Sequence, residues 1–162
     1  MNPSSGDDSA KNGLIQRLRS PRERLGDYVI LPRLIDKVRL RASGRLPPEY
    51  HSNLLRLPDP ASSFFPLDGR FLEFTGLDPG ALEQAILEAH DDQTVLQWVA
   101  SHGRPHSSEE IRAWERSFES LPPNDRRTAH RKKTYPELAL RPDIGTMPPF
   151  DLIDLDEGRL GS

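Results

Sequence analysis

A chain of 162 residues fits one domain with a shared core, but 35% apolar content and 16 prolines limit that core and leave much backbone extended or turn-like. Its net charge of -3 gives no overall drive toward nucleic acid, and the absence of cysteine excludes disulfides, thiolate nucleophiles and Cys-ligated metals. The charge is uneven: residues 1–45 carry ten basic and five acidic side chains and the remainder 12 and 20, so the two parts can satisfy each other internally.

Residues 1–12 (MNPSSGDDSAKN) are small and polar and read as a disordered leader ahead of a helical domain over 13–158. No apolar run follows a basic start, and Val29 to Leu31 is the longest early one, so a soluble cytoplasmic protein without a membrane span is expected. Ser20-Pro21 resembles an N-cap with Pro at N1, opening a short turn closed by Gly26. Pro32 then opens the main helix. Leu31, Leu34, Ile35, Val38 and Ala42 recur at helical spacing and form its core stripe. On another face Arg33, Lys37 and Arg41 fall four apart and stack three cations into a ridge offered to solvent. Gly44 is placed to end this helix in the left-handed conformation.

Five prolines between Pro47 and Pro66 rule out a continuous helix and predict a long irregular connection. Asp68 is expected to cap a short helix carrying Phe71, Leu72 and Phe74, ending at Gly76. Asp78 with Pro79 starts another, with Leu77 stapled to Leu82. Asp91 or Asp92 caps the next, which ends at Gly103. Ser107 and Glu110 have capping-box spacing before Ile111, Trp114, Phe118 and Leu121. Asn124 starts a last helix that cannot run past Tyr135-Pro136. No stretch alternates as a strand does. The expectation is an all-α single domain of five to six short helices with Pro-rich connections. FDLIDLDE, with four large apolar residues, is expected as a docked C-terminal tail, and 159–162 as a frayed end.

The segments SPRERLGDYVILPRLIDKVR, PEYH, PLDGRFLEFTGLD and the closing FDLIDLDE occur in this order across residues 19–157. Together they resemble a family of small bacterial proteins defined as a domain of unknown function, family 5069. Its members carry SPR-x-x-LGGYVILPR-like, GEYH, PLD-x-RFL-x-FTG and WF-DLLDLDD-like blocks. Two departures stand out: Pro48 stands where that pattern has Gly, and residues 54–65 look like a loop insertion. The resemblance implies a small helical fold and supplies no activity, substrate or cofactor.

Candidate chemistry gathers around Glu49, Tyr50 and His51. His51 can act as a general base if Asp36, Glu49 or Asp68 fixes its tautomer; the plainer reading has Tyr50 anchoring the loop and His51 capping a helix or bonding a carbonyl. No nucleophile elbow, phosphate loop or paired-carboxylate spacing accompanies them. His102 and His106 are four apart, but Gly103 and Pro105 prevent a helix that would align them, so no metal or other cofactor is expected. Asp151, Asp154, Asp156 and Glu157 lack an EF-hand frame before the chain ends. Arg17, Arg19, Arg22 and Arg24 lead into the ridge, and Arg126, Arg127, Arg131, Lys132 and Lys133 form a second basic run.

The reading that best fits is a non-catalytic binding module for another protein or a small anionic ligand. Its surface is expected where Tyr28, Arg33, Asp36, Lys37, Tyr50, His51 and Arg70 meet. One alternative is a small enzyme with His51 as base and Arg33 or Lys37 as anion clamp. A second is nucleic-acid or polyanion binding through the basic clusters, which the net charge and the missing aromatic platform disfavour.

Overall fold

The structure, a computed structural model, describes residues 18–59, 66–119 and 121–160. The leader 1–12, Arg17 and the insertion's residues 60–65 lie outside them. Among the described residues there are seven α-helices: α1 (Leu31–Ala42), α2 (Leu67–Thr75), α3 (Pro79–Glu88), α4 (Asp92–His102), α5 (Ser108–Arg116), α6 (Asp125–Thr134) and α7 (Pro149–Asp156). Two 3-10 turns, Pro48–Asn53 and Pro136–Leu138, join them. The fold is mostly helical, with one helix more than expected: the docked tail is itself helical, opened by Pro149. None of these helices is long and apolar enough to cross a membrane.

A small hairpin precedes α1 where no strand was expected. β1 (Arg24–Leu25) pairs antiparallel with β2 (Tyr28–Val29), around a turn whose Gly26 has φ +61°. Strands of two residues are too short to show alternation, so the sequence carries no periodic signal for them. Ile30 then takes φ +74°, a left-handed conformation that a β-branched residue rarely adopts. It is held there by full burial of its side chain and by its N–H donating to the Pro21 carbonyl at 3.0 Å.

Four sequence-legible caps are present. Asp78 accepts from the Ala81 N–H at 2.9 Å and Asp91 from Thr94 at 2.8 Å. Ser107 and Glu110 complete the capping box, and Asn124 accepts from Arg127 at 2.8 Å. Gly44 and Gly76 end α1 and α2 with φ +72° and +71°. Three expectations require correction. Asp68 does not cap α2; Pro66 occupies that place and the Asp68 carboxylate turns inward to other partners. Ala42 is exposed, because the last turn of α1 runs past the core. α5 stops at Arg116, and Phe118 is buried from the turn beyond it.

The main core packs Leu31, Leu34, Ile35 and Val38 of α1 against Phe71, Leu82, Ile86, Val95 and Val99. An aromatic chain crosses it. Tyr28 meets Phe71 edge-on at 5.5 Å, Phe74 stacks on Trp114 at 4.7 Å, Trp114 meets Phe118 at 5.1 Å, and Phe118 leans on Phe150 at 5.4 Å. These rings tie α2, α5 and α7 together. A smaller cluster, Ile144, Met147 and Leu152 with Tyr135, Leu138 and Leu155 against it, seats α7 beside the end of α6.

Gly69 lets the first turn of α2 approach the 54–59 segment. A Cβ there would lie 2.3 Å from the Arg56 carbonyl and 2.9 Å from a Pro58 carbon. Gly69→Ala is therefore expected to destabilise the protein by roughly 2 kcal/mol, the cost of overpacking against backbone that cannot give way. A urea-denaturation midpoint equal to the wild type would refute this contact.

Candidate functional site

α1, α2, α6, α7 and both 3-10 turns surround a cleft of about 580 Å³. Five of the sequence candidates line it: Arg33 and Lys37 from α1, Glu49 and Tyr50 from the first 3-10 turn, and Arg70 from α2. α6 adds Arg127, His130 and Arg131, and α7 with the residue that caps its C-terminus adds Asp156 and Glu157.

The ridge on α1 does not face solvent. Arg33 and Lys37 are only 5% and 6% exposed. Charges buried that deeply need partners. Arg33 has Glu157 in a two-pronged pair, Nη1 to Oε1 at 2.9 Å and Nη2 to Oε2 at 2.6 Å, and also donates to the Arg19 carbonyl. The Tyr50 hydroxyl donates to the same carboxylate at 3.1 Å, and Arg159 approaches it from the other side. Arg159, assigned by sequence to the frayed end, also donates to the Leu18 carbonyl. Lys37 Nζ lies 2.8 Å from both oxygens of Asp68, which also accepts from the Leu55 N–H at 3.1 Å. Arg41, at the half-exposed end of the line, pairs with Glu83 at 2.6 Å. The ridge is covered because helices pack on both sides of α1.

Burial pulls the Arg33 guanidinium down, but the bonds and charge of Glu157 outweigh it and hold its pKa above the ordinary value. Burial dominates at Lys37 and lowers its pKa, with Asp68 opposing and Arg33 adding to the shift. At Glu157 burial pushes up, yet the Arg33 and Arg159 partners hold the carboxyl below its usual range. Tyr50 and Tyr135 are both pushed up, first by burial and then by nearby carboxylates.

The far wall carries a different kind of cation. Arg131 is buried, and its Nη1 donates to the carbonyls of Ile144 at 2.8 Å and Met147 at 2.7 Å. Arg127 donates through Nε to the Gly145 carbonyl at 2.9 Å and through Nη2 to that of Pro122. Among the described residues neither makes an ion pair. Arg70 lies over the Phe118 ring at 5.1 Å. Burial first, then repulsion by Arg127, lowers the pKa of both Arg70 and Arg131, with Glu73 opposing at Arg70. Three guanidinium groups thus crowd one wall with dipoles, rather than a carboxylate, as the visible partners of two of them.

The other candidates lie elsewhere. His51 is exposed, outside the cleft lining, with Nε2 2.8 Å from the Leu46 carbonyl. Asp36 is bound up with Arg19 at 2.9 Å and Tyr28 with the aromatic chain. Asp68 acts behind the lining, through Lys37. His102 bonds the Trp98 carbonyl, and His106 stacks on Phe74 at 3.8 Å. Among the described residues no three His, Asp or Glu side chains are grouped to hold a metal. The sequence groups Arg127 and Arg131 into a basic run and gives them no place in the expected binding surface. Arg127, His130, Arg131 and Thr134 in fact recur at helical spacing on one face of α6, which is a signal that they share a surface.

Glu157→Gln leaves the Arg33 charge buried beside a neutral partner and is expected to cost roughly 3 kcal/mol at neutral pH. The lowered folded-state pKa sets the sign with pH. As pH falls below about 4.3, the unfolded chain takes up the proton first. The stabilisation is therefore full above that pH and is lost as pH falls through the folded value. The wild type should lose stability more steeply than E157Q across this range in acid titration of urea midpoints; parallel curves would refute it.

No curated protein matches the chain. The model of a domain of unknown function, DUF5069, matches residues 15–159. That span includes every element of the fold and every wall of the cleft, and the chain belongs to this family.

Proposed function

We propose that this is a soluble, cytoplasmic bacterial protein that binds a small anionic ligand in the cleft and does not itself catalyse a reaction. The observation that carries this reading is the pair Arg127 and Arg131 on the cleft wall, held by carbonyl dipoles and without a carboxylate partner among the described residues. Guanidinium groups in that state favour a carboxylate or phosphate brought by a ligand. Hydrogen bonds to charged groups contribute about 1.5–3 kcal/mol each. Arg33 and Lys37 take a different role from the clamp expected of them, since each is already paired within the fold.

The position of His51 supports binding over catalysis, since it stands apart from the cleft lining; His130, which does line the cleft, lies 3.4 Å from the Thr134 hydroxyl, but that hydroxyl donates to the His130 carbonyl at 2.8 Å. A small ligand is favoured over a polyanion because the basic run of α6 is divided. Arg126, Lys132 and Lys133 are exposed, whereas Arg127 and Arg131 turn into the cleft.

Inorganic phosphate at low ionic strength is expected to raise the melting temperature of the wild type in a saturable way. The variant R127Q/R131Q, confirmed as folded by circular dichroism, should show no shift, and R127K/R131K an intermediate one. A flat wild-type response up to tens of millimolar phosphate would overturn the reading.

A further inference from the structure

Of the charges that line the cleft, Arg33, Lys37 and Glu157 are paired within the fold, whereas Arg127 and Arg131 on α6 and Glu49 and Glu137 in the two 3-10 turns make no ion pair among the described residues. Arg127 and Arg70 repel one another at one end, and Arg131 stands one helical turn further along α6, near enough to Arg127 to feel its charge. Tyr135, just beyond α6, is close to Asp156 and Glu157 and also to Arg33 and Arg131, and Tyr50 is close to the same two carboxylates and to Arg33. Glu49 and Glu137 flank those two tyrosines in sequence and line the same cleft. Both are exposed and make no hydrogen bond or ion pair among the described residues. With a rise of about 1.5 Å per residue, the four steps from Arg131 and the eight from Arg127 to Tyr135 cover about 6 and about 12 Å. Leu121, Leu152 and Ile153 add apolar surface to the lining.

A simple anion would use only one end of this arrangement. Resting on the small-ligand reading of the cleft, we propose that its ligand is a zwitterion of di- or tripeptide size. The carboxylate sits on Arg127 and Arg131, and the ammonium group lies toward Glu49 and Glu137 beside the tyrosines. An extended chain advances about 3.3–3.6 Å per residue, so two or three residues place terminal charges on the order of 10 Å apart. A single amino acid, with both charges on one carbon, cannot reach both poles. Arg131 is the strongest element of the site. It is buried and carries donors without a protein partner among the described residues beyond the two that Ile144 and Met147 receive.

The test is isothermal titration calorimetry of the full chain at low ionic strength with trialanine, N-acetyl-trialanine, trialanine amide, free alanine and inorganic phosphate. Trialanine should bind at least tenfold tighter than each of the other four. The variant E49Q/E137Q alters two exposed side chains outside the core. It should bring trialanine down to the level of the N-acetylated peptide while leaving the latter unchanged. Equal binding of trialanine and N-acetyl-trialanine, or an E49Q/E137Q variant with wild-type affinity for trialanine, would overturn the zwitterion and leave an anion site. Equal binding of alanine and trialanine would overturn the peptide span. Binding of phosphate alone would overturn the zwitterion only. Binding of none of the five would remove the anionic-ligand reading as well.

Discussion

The structure depends on a constraint set inside a single helix: two cations one turn apart are buried together. Arg33 and Lys37 are like charges on one face of α1, and both are almost wholly buried. In an interior of low dielectric such a pair is tolerated only if each cation has its own carboxylate. Glu157 serves one and Asp68 the other. The two acids come from α7 and α2, so satisfying α1 fixes where both of those helices stand. The cleft is the space left between helices positioned by that requirement.

Buried ion pairs of this kind add little net stability, because desolvation offsets most of the Coulombic gain. Here they work alongside contacts that do stabilise. The apolar stripe of α1 and the chain of rings from Tyr28 to Phe150 supply the burial. A polar frame secures the entry to the hairpin. Arg19 joins Asp36 and Asp92, while Ser20 donates to the buried Asp154 of α7 at 2.8 Å. The segment before α1 is thereby held to α7 and α4 as well as to α1. The strained backbone at Ile30 persists because its surroundings are fixed from so many sides.

Local chemistry was legible in the sequence. Asp78, Ser107 with Glu110, and Asn124 act where their spacing puts them, since a cap depends only on residues within one turn. What the sequence could not convey is whether a face is covered. The four-residue spacing of Arg33, Lys37 and Arg41 reports a common face and says nothing of what packs on it. The partners of the first two lie 124 and 31 residues away. Asp68 shows the same limit, because a long-range partner drew away a side chain that local rules assigned to a helix end. The lining of the cleft was partly visible. Glu49, Tyr50 and Arg70 do meet Arg33 and Lys37 in the cleft, whereas Arg127 and Arg131 had their periodicity in plain view and lacked only a reason to face inward.

The long reach of the Arg33–Glu157 pair bears on how the protein comes to be folded. A growing chain can form α1 early, but its arginine finds the carboxylate only after another 124 residues have been made. Until then the Arg33 charge must remain hydrated, and the face of α1 that carries it cannot be sealed. Contacts so distant in sequence carry a large closure entropy and form late. The half-built protein is therefore open along the side that later becomes the cleft, and arrival of α7 closes the interior and completes the cleft wall together.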